Sequence, residues 1–397
     1  MTNQETLHDF IQQHFDEMVD IRRYLHQHPE LSFEEEHTPA FIADYHEKLG
    51  HSVQSGVGGR GVVAILKGKQ PGPRIALRAD FDALPIHDEK DVPYRSKVDG
   101  KMHACGHDAH TASLLVLAKA LNAMKDQLKG DVVFLHQFAE EVAPGGAKPM
   151  IEAGCLEGVD VVYGTHLWST SEVGTVEYQE QAAMAAADRF KIKVQGNGGH
   201  GAHPHTTRDA VLIGAKITDA LHHIVSRTVD PMASAVISVG RFEAINAFNV
   251  IADSAELEGT VRTFDPEIQQ LVRTEMERVT TGIAETYGAS ATFEYIPGYP
   301  AVINHPEHAE IVRKVAASTK SVKAVSHVPP QMAGEDFGYY IQEKPGAFFF
   351  TGARHPDWSV AYPHHHPKFD IDERAMITSA DMLGNLVLET MGLRDPS

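Results

Sequence analysis

Apolar residues recur every three or four positions near the start of the chain, which predicts an amphipathic helix. The members of this stripe are Leu7, Phe10, Ile11, Phe15, Met18, Val19 and Leu25. A second helix is expected over residues 39–49. Thr38 could cap its first turn, Pro39 suits its first position and Gly50 could end it.

Short apolar runs typical of buried strands then alternate with helical segments. Strands are predicted at 61–67, 74–84, 131–138 and 159–167, and helices at 109–121 and 148–155. This alternation is typical of an α/β domain with a largely parallel sheet. The same character returns near the end of the chain, with helices predicted at 308–319 and 373–391 and a strand at 347–351.

The pattern changes between these two α/β segments. Strands at 189–195, 234–241, 255–264 and 290–295 and helices at 209–226 and 265–287 follow the β-α-β-β-α-β order of a ferredoxin-like domain. We therefore predict one α/β domain, formed by residues 1–184 and 297–397, interrupted by an inserted α+β domain at 185–296. The alanine-rich stretch 182–187 is a candidate hinge or a small-residue packing surface.

Composition narrows the classes of function. The 397 residues include 35 Lys and Arg against 54 Asp and Glu, a net charge of −19. This balance argues against nucleic-acid binding and against docking on an anionic membrane. Two cysteines cannot form a disulfide framework, the start lacks a signal-peptide profile, and no apolar run approaches the ~20 residues of a membrane span. We expect a cytoplasmic protein.

The densest chemical cluster is the stretch 103–110, which contains three histidines, Cys105 and Asp108. Thiolate and imidazole are good ligands for divalent transition metals. The same residues could instead form a solvated helix cap. The spacing therefore indicates a metal site without excluding a structural turn.

Other candidates lie at predicted strand ends. Glu140 and Glu141 follow an apolar strand, at the edge where open α/β sheets place their active sites. One carboxylate could bind a metal while the other acts as a general base. His166 ends another strand, and three histidines occupy 364–366. Each feature alone has a structural explanation, but their conjunction favours a metal-dependent active site.

Taken in order, these motifs resemble the M20 metallopeptidase family, and within it the amidohydrolase branch. That branch includes N-acyl-amino-acid deacylases (aminoacylases), hippurate hydrolases and auxin-conjugate hydrolases. The matching segments are IALRADFDALP at 75–85, MHACGHDAH at 102–110, Glu140-Glu141, GTHLW at 164–168, Gly199-His200, MAGEDF at 332–337 and HHPKFDIDE at 365–373. The resemblance implies a catalytic domain, formed by 1–184 and 297–397, and an inserted lid or dimerisation domain.

The resemblance also implies two divalent metal ions per subunit, zinc or manganese, with cobalt or nickel possible. The implied ligands are Cys105, His107, Glu141, His166 and His365. Glu140 matches the general base, and Asp80 matches a carboxylate that orients a metal-binding histidine. The roles of Asp108 and His110 stay open.

In the lid, His200 matches a residue that reaches the active site, often from a partner subunit, to stabilise the oxyanion. Asn249 and Arg262 are candidate substrate-binding residues, since a guanidinium can hold the substrate carboxylate.

The expected activity is hydrolysis of N-acyl amino acids, with N-acetyl, N-benzoyl or similar acyl groups, by metal-activated water. The expected partners are this small-molecule substrate and further copies of the chain, in a homodimer or higher homo-oligomer formed through the lid. Three alternatives stay open: a dipeptidase or aminopeptidase of the same family, a hydrolase with Cys105 as nucleophile, and a non-enzymatic metal-binding protein. A structural zinc site usually has four ligands, so five candidates beside Glu140 argue for a working site.

Overall fold

The computed structural model describes residues 2–394, so residue 1 and residues 395–397 of the predicted main domain lie outside the described part. The chain forms two compact units. The first comprises the described residues up to Ala183, Val302–Pro330 and the described residues from Asp336 onward. The second comprises Met184–Ala301 and Gln331–Glu335.

Ten α-helices lie in the described part of the chain. They are α1 (Asn3–Gln13), α2 (Phe15–Gln27), α3 (His37–Lys48), α4 (His107–Ala123), α5 (Ala147–Glu152), α6 (Ala210–Arg227), α7 (Pro266–Thr286), α8 (Pro306–Ala317), α9 (Phe337–Glu343) and α10 (Ala375–Thr390). None of these helices combines the length and apolar character needed to cross a membrane.

Sixteen strands occur within residues 2–394. They are β1 (Ser52–Val57), β2 (Gly61–Lys67), β3 (Gln70–Asp80), β4 (Lys129–Gln137), β5 (Val161–Glu172), β6 (Thr175–Tyr178), β7 (Ala182–Met184), β8 (Ala186–Gln195), β9 (Gly199–His200), β10 (Ala235–Glu243), β11 (Val250–Ile251), β12 (Ser254–Thr263), β13 (Ser290–Tyr299), β14 (Val302–Ile303), β15 (Ala324–His327) and β16 (Gly346–Arg354).

The first unit contains an eight-stranded sheet in the order β1-β2-β4-β3-β5-β16-β6-β15. The central pairs β4–β3, β3–β5 and β5–β16 are parallel, as is β6–β15. The remaining three pairs are antiparallel. The prediction of a largely parallel α/β sheet is confirmed. The strands that the pattern missed, β1, β6 and β15, are short and lie at or next to the sheet edges, where burial imposes less apolar character.

The N-terminal apolar stripe belongs to two helices, where the sequence predicted one. The backbone of His14 leaves the helical region at φ −106° and ψ 18°, and its ring Nδ1 donates to the carbonyl of Phe10 at 2.9 Å. The apolar spacing continues across this break. Periodicity alone therefore could not locate it.

The helix predicted from residue 39 begins earlier, as α3, and the expected cap at Thr38 is wrong. The carboxylate of Glu30 accepts the backbone N–H groups of Glu36, His37 and Thr38 at 2.8–3.0 Å. A carboxylate that precedes these donors by 6–8 residues thus satisfies the free N–H groups of the first turn. Gly50 follows the helix at φ 80°, as a helix-ending glycine does.

The second unit contains a four-stranded antiparallel sheet in the order β10-β12-β8-β13. α6 and α7 pack against it around a core that includes Phe190, Ile192, Leu221 and Met276. This is the ferredoxin-like arrangement that the sequence predicted, and β9 and β11 form a separate two-stranded ribbon.

The second unit is larger than the predicted insertion at 185–296. Gln331–Glu335 belongs to it because the N–H of Ala185 donates to the carbonyls of Gln331 and Ala333 at 3.0 and 3.2 Å. The boundary between Ala183 and Met184 falls within the alanine-rich stretch proposed as a hinge.

Candidate metal centre

The candidate site lies at the carboxyl ends of neighbouring parallel strands in the first unit. β3 ends at Asp80, and β5 continues through His166. Since β4, β3 and β5 are adjacent and parallel, their carboxyl ends share one edge of the sheet. α4 begins beside this edge: Nδ1 of His110, in the first turn of the helix, lies 2.6 Å from Oδ1 of Asp80. This is the edge at which open α/β sheets bind their ligands.

The five predicted metal ligands lie together, although they come from four separate segments of the chain. Sγ of Cys105 lies 3.3 Å from Nε2 of His166, and Nε2 of His365 lies 3.2 Å from Oε2 of Glu141. Three overlapping groups have ligand atoms within 4.8 Å of one another: Cys105, His107 and His166; Cys105, Glu141 and His365; and His107, Glu140 and Glu141.

Two ligand atoms in this cluster are buried without a hydrogen-bond partner in the described part of the chain: Nε2 of His107 and Oε1 of Glu141. Burial lowers the pKa of His107, but Asp80, Asp82 and Glu141 outweigh it and raise that pKa to about 10. Burial, with Glu141 and Glu140, raises the pKa of the Cys105 thiol well above its usual value. The site therefore attracts positive charge, and its thiol, imidazole and carboxylate donors fit transition-metal ions.

Asp82 fixes the orientation of His107. Its Oδ1 and its main-chain carbonyl both lie within hydrogen-bond distance of Nδ1 of His107, at 3.1 and 3.0 Å. Its Oδ2 accepts the backbone N–H of Glu141 at 3.0 Å and the hydroxyl of Ser32 at 2.6 Å. The sequence assigned the orienting role to Asp80. The structure places the contact with Nδ1 of His107 on Asp82 instead, because α4 presents His107 to Asp82 and His110 to Asp80.

Asp80 holds His110, for which the sequence suggested no role. Nδ1 of His110 donates to Oδ1 of Asp80 at 2.6 Å, while its Nε2 accepts the N–H of Leu167 at 2.9 Å. Both ring nitrogens of His110 are thus used by the protein. Arg78 donates to Oδ2 of Asp80 at 2.6 Å. Burial raises the pKa of Asp80, but Arg78, His107 and His110 hold it well below its usual value.

A buried polar cluster extends this support into the sheet. Arg78 also donates to Asp336 at 2.9 Å and to Gln137 at 3.0 Å. Asp336 in turn accepts the backbone N–H of Ala147 at 3.0 Å. The MAGEDF motif therefore contributes Asp336 to the frame that holds Asp80.

The three histidines at 364–366 have different surroundings. His365 has its side chain 53% exposed and a backbone φ of 65°, and its Nε2 points at Glu141. His364 donates from Nε2 to the carbonyl of Leu167 at 2.9 Å, whereas Nδ1 of His366 accepts the N–H of Lys368 at 3.0 Å. These contacts support the choice of His365 as the ligand.

Asp108, next to His107, belongs to a buried ionic cluster. Its Oδ2 accepts Nε of Arg22 at 2.9 Å and Nδ1 of His26 at 2.7 Å. Arg22 also donates to Asp370, five residues beyond His365, at 3.0 Å. Burial raises the pKa of Asp108, but Arg22 and His26 hold it well below its usual value. Arg22 of α2 thus connects the two segments that carry the candidate ligands His107 and His365.

The turn before Glu140 is also supported from the N-terminal part of the chain. Ala139 has a φ of 51°, an uncommon conformation for a residue with a Cβ. Its N–H donates to Oε1 of Glu35 at 2.9 Å. Burial raises the pKa of Glu35 to about 7. Sequence reasoning missed Glu35, Arg22 and Asp82; only Asp82 had a signal, since it lies inside the motif IALRADFDALP.

The three candidates in the lid lie in the second unit. His200, in β9, is exposed, and its Nδ1 accepts the N–H of Ala202 at 3.1 Å. Asn249 directly precedes β11, which pairs with β9, so these two residues are neighbours. Arg262 lies on β12 in the four-stranded sheet, where its guanidinium donates to the hydroxyl of Thr260. Burial lowers the pKa of Arg262.

Comparison with known proteins identifies the family. The model of peptidase family M20/M25/M40 matches residues 76–389. The YhaA protein of Bacillus subtilis (strain 168) is 57% identical over 374 residues, which are 94% of each chain. The N-acyl-L-amino acid amidohydrolase of Geobacillus stearothermophilus is 49% identical over 291 residues, 73% of this chain and 79% of that one.

A solved structure agrees in fold and sequence. The YXEP protein of Bacillus subtilis, a dinuclear metal binding peptidase from the M20 family, is 37% identical with a TM-score of 0.85, covering 96% of this chain and 99% of that one. The chain therefore belongs to peptidase family M20/M25/M40 and is a hydrolase that acts on amide bonds.

Proposed function

We propose that this protein is a metal-dependent amidohydrolase that cleaves N-acyl amino acids into a carboxylic acid and a free amino acid. The observation that carries the proposal is the convergence of the five proposed ligand side chains at one sheet edge, with Glu140 beside His107 and Glu141. The N-acyl-L-amino acid amidohydrolase at 49% identity supports this class of substrate. The family relative that binds a dinuclear metal supports two ions per chain.

The proposed ligands are Cys105, His107, Glu141, His166 and His365. When bound, two divalent ions supply the charge that polarises an acyl carbonyl and acidifies a water molecule. Zinc and manganese are the first candidates, because the donor set mixes a thiol and imidazoles with a carboxylate.

Glu140 acts as the general base in this proposal. It is buried, and its Oε2 lies 3.9 Å from Nε2 of His107. Its carboxylate takes a proton from the attacking water and then donates that proton to the departing amine. One carboxylate therefore serves both steps of amide cleavage.

The lid residues bind the substrate in this proposal. His200 is exposed on its ribbon and supplies a hydrogen bond to the oxyanion. Asn249 and Arg262 hold the amino-acid part, with the guanidinium of Arg262 paired to the free carboxylate. A homodimer or higher homo-oligomer formed through the second unit is part of the same proposal, and light scattering coupled to size exclusion tests it.

The contact between Cys105 and His166 at 3.3 Å also fits a second candidate, a cysteine hydrolase. A nucleophilic cysteine needs a lowered thiol pKa, supplied by neighbouring positive charge. Here Glu141 and Glu140 act in the opposite direction, together with burial. The surroundings of Cys105 therefore favour a ligand.

The decisive experiment replaces Glu140 with Gln and measures both metal content and hydrolysis of N-acetyl and N-benzoyl amino acids. We expect full metal content with hydrolysis reduced at least ~10²-fold, the lower range for general-base catalysis. Glu152→Gln, on the exposed end of α5, is the matched control. Near-normal turnover in Glu140→Gln refutes the mechanism.

Two further measurements separate the alternatives. EDTA should abolish activity and added metal should restore it, whereas a cysteine hydrolase would keep its activity in EDTA. Faster cleavage of dipeptides with a free amino group than of N-acyl amino acids would assign the protein to the peptidases of the family.

A further inference from the structure

The carbonyl oxygen of Leu167 accepts two hydrogen bonds from histidines. Nδ1 of His166 lies 2.7 Å from it, and Nε2 of His364 lies 2.9 Å from it. Because a carbonyl only accepts, both of these nitrogens carry a proton. The proton on Nδ1 leaves Nε2 of His166 as the bare nitrogen, and this atom lies beside Sγ of Cys105. The peptide of Leu167 therefore sets the tautomer of His166.

The same peptide is held from its other side. The N–H of Leu167 donates to Nε2 of His110 at 2.9 Å, and Nδ1 of His110 donates to Asp80 at 2.6 Å. This fixes the middle of β5 against α4 and β3. The Leu167 carbonyl is consequently a rigid point from which a second element can be positioned.

His364 reaches that point from the loop that carries His365. Its ring lies 5.1 Å from the ring of His166, 4.7 Å from that of Trp168 and 5.2 Å from that of Phe369, measured between centroids. His366, on the other side of His365, stacks on Tyr362 at 4.4 Å, within its own loop. Only the first of these two flanking histidines connects the loop to β5 by the described contacts.

We propose that His364 is a positioning residue that ties the loop bearing His365 to the strand bearing His166. The proposal rests on the ligand set given under the proposed function. The loop needs external support because His365 has a positive φ, which is strained for a residue with a Cβ. One support is the N–H of His365 on the carbonyl of Ala104 at 2.8 Å. Another is the hydroxyl of Ser169 on the carbonyl of Tyr362 at 3.0 Å. A third is the His364 side chain, which can be removed without changing the backbone.

The experiment compares substitutions at the two histidines that flank His365. His364→Phe keeps a ring but removes the donor, while His364→Gln keeps an N–H at a similar reach. His366→Phe and His366→Gln are the matched controls. Metal-free proteins are titrated with Co²⁺, and the cobalt absorption bands, including that of the Cys105 thiolate, report ligand geometry. Thermal unfolding of the metal-free proteins separates effects on metal binding from effects on folding.

We expect His364→Phe to weaken Co²⁺ affinity about 10- to 100-fold, as removal of a group that orients a ligand does. Its cobalt spectrum should also change, and His364→Gln should restore both properties towards wild type. The two His366 variants should match wild type. Equal affinities and spectra in His364→Phe and His366→Phe would overturn the proposal. So would a Gln variant no better than Phe, because packing alone would then explain the effect.

A failure of the ligand set would look different. Wild type should bind two Co²⁺ per chain, and His166→Asn should lose this stoichiometry. If wild type binds fewer ions, the proposed function fails. If wild type and His166→Asn behave as expected while His364→Phe resembles wild type, only the role of His364 is refuted. If His364→Phe does not fold, His364→Gln is compared with His364→Asn, whose shorter side chain places its donor farther from Leu167. Weaker Co²⁺ binding in the Asn variant than in the Gln variant is then expected, and equal binding overturns the proposal.

Discussion

Replacing Asp82 with Asn tests whether the frame around the metal ligands governs metal binding. The carboxylate serves three donors: Nδ1 of His107, the N–H of Glu141 and the hydroxyl of Ser32. Burial raises its pKa, but these hydrogen bonds, His107 first, lower it overall, so the group is ionised. Asparagine has nearly the same shape with a single acceptor oxygen. The NH₂ group of its side chain must face either His107 or the pair of Glu141 and Ser32. All three of these partners are donors, so at least one hydrogen bond is lost.

The magnitude follows from the hydrogen bonds that the substitution removes. A hydrogen bond to a charged group is worth about 1.5–3 kcal/mol. Removing the carboxylate that orients one ligand weakens metal affinity about 10- to 100-fold, which corresponds to about 1.4–2.8 kcal/mol. The two ranges coincide, so we expect Asp82→Asn to bind metal one to two orders of magnitude more weakly than wild type.

The assay is calorimetric titration of metal-free protein with Zn²⁺, supported by metal analysis after dialysis against a weak chelator. Asp131→Asn is the control, since Asp131 pairs with Arg74 in a partly exposed ion pair at 2.9 Å. Such a pair contributes about 1 kcal/mol or less to folding and should not affect metal binding. Wild-type affinity in Asp82→Asn would refute the reasoning that Asp82 positions the ligands.

Three other predictions follow from buried charges. Glu35 has a pKa raised to about 7 in the folded protein. Its contribution to the free energy of unfolding is therefore fully present below about pH 4.5 and is lost as the pH rises through 7. Between about pH 5 and 8, the free energy of unfolding of Glu35→Gln should therefore rise by up to roughly 3 kcal/mol relative to that of wild type. Urea unfolding of the metal-free proteins measures this difference, and parallel pH profiles of the two proteins would contradict the prediction. Arg78→Met leaves the buried carboxylates of Asp80 and Asp336 without their cation and should lower the free energy of unfolding by about 3–5 kcal/mol. Arg74→Met, which removes a partly exposed ion pair, should lower it by less than about 1 kcal/mol. Because His107 has a pKa of about 10 without metal, metal binding should release protons, and metal affinity should increase from about pH 6 to 9. Calorimetry in buffers of different ionisation enthalpy measures the proton release. A pH-independent metal affinity would contradict the prediction.

The sequence was most informative where chemistry and periodicity coincide. Alternating strands and helices predicted the parallel sheet, and the β-α-β-β-α-β order predicted the ferredoxin-like unit. Parallel strands bring their carboxyl ends to one edge, so Glu141, in the loop after β4, lies in the same cluster as His166. The sequence predicted that the strand of His166 ends at residue 167, but β5 continues to Glu172, and His166 lies on it level with the end of β3. The family resemblance selected His365 among the three histidines at 364–366, and the hydrogen bonds of its two neighbours are compatible with that choice.

The supporting residues could not be found in the same way. Asp80 and Asp82 are two positions apart and both contact histidines of α4, so spacing alone could not tell which carboxylate holds His107 and which holds His110. Arg22 lies on an amphipathic helix, where a charged residue normally faces solvent, and its partner Asp108 is 86 residues away. Glu35 contacts Ala139 across 104 residues. Pairings of this kind depend on how the elements pack, and no local pattern contains them.

The buried side chains of Arg22 and Glu35 bear on how chains of this family can be shortened or recombined. The matched family region begins at residue 76, yet Arg22, Ser32 and Glu35 all precede it. A chain trimmed to the matched region would leave the carboxylates of Asp108 and Asp82 and the peptide of Ala139 without these partners. Chimeras that exchange substrate specificity between relatives should therefore keep the first 75 residues with the α/β core from which they come.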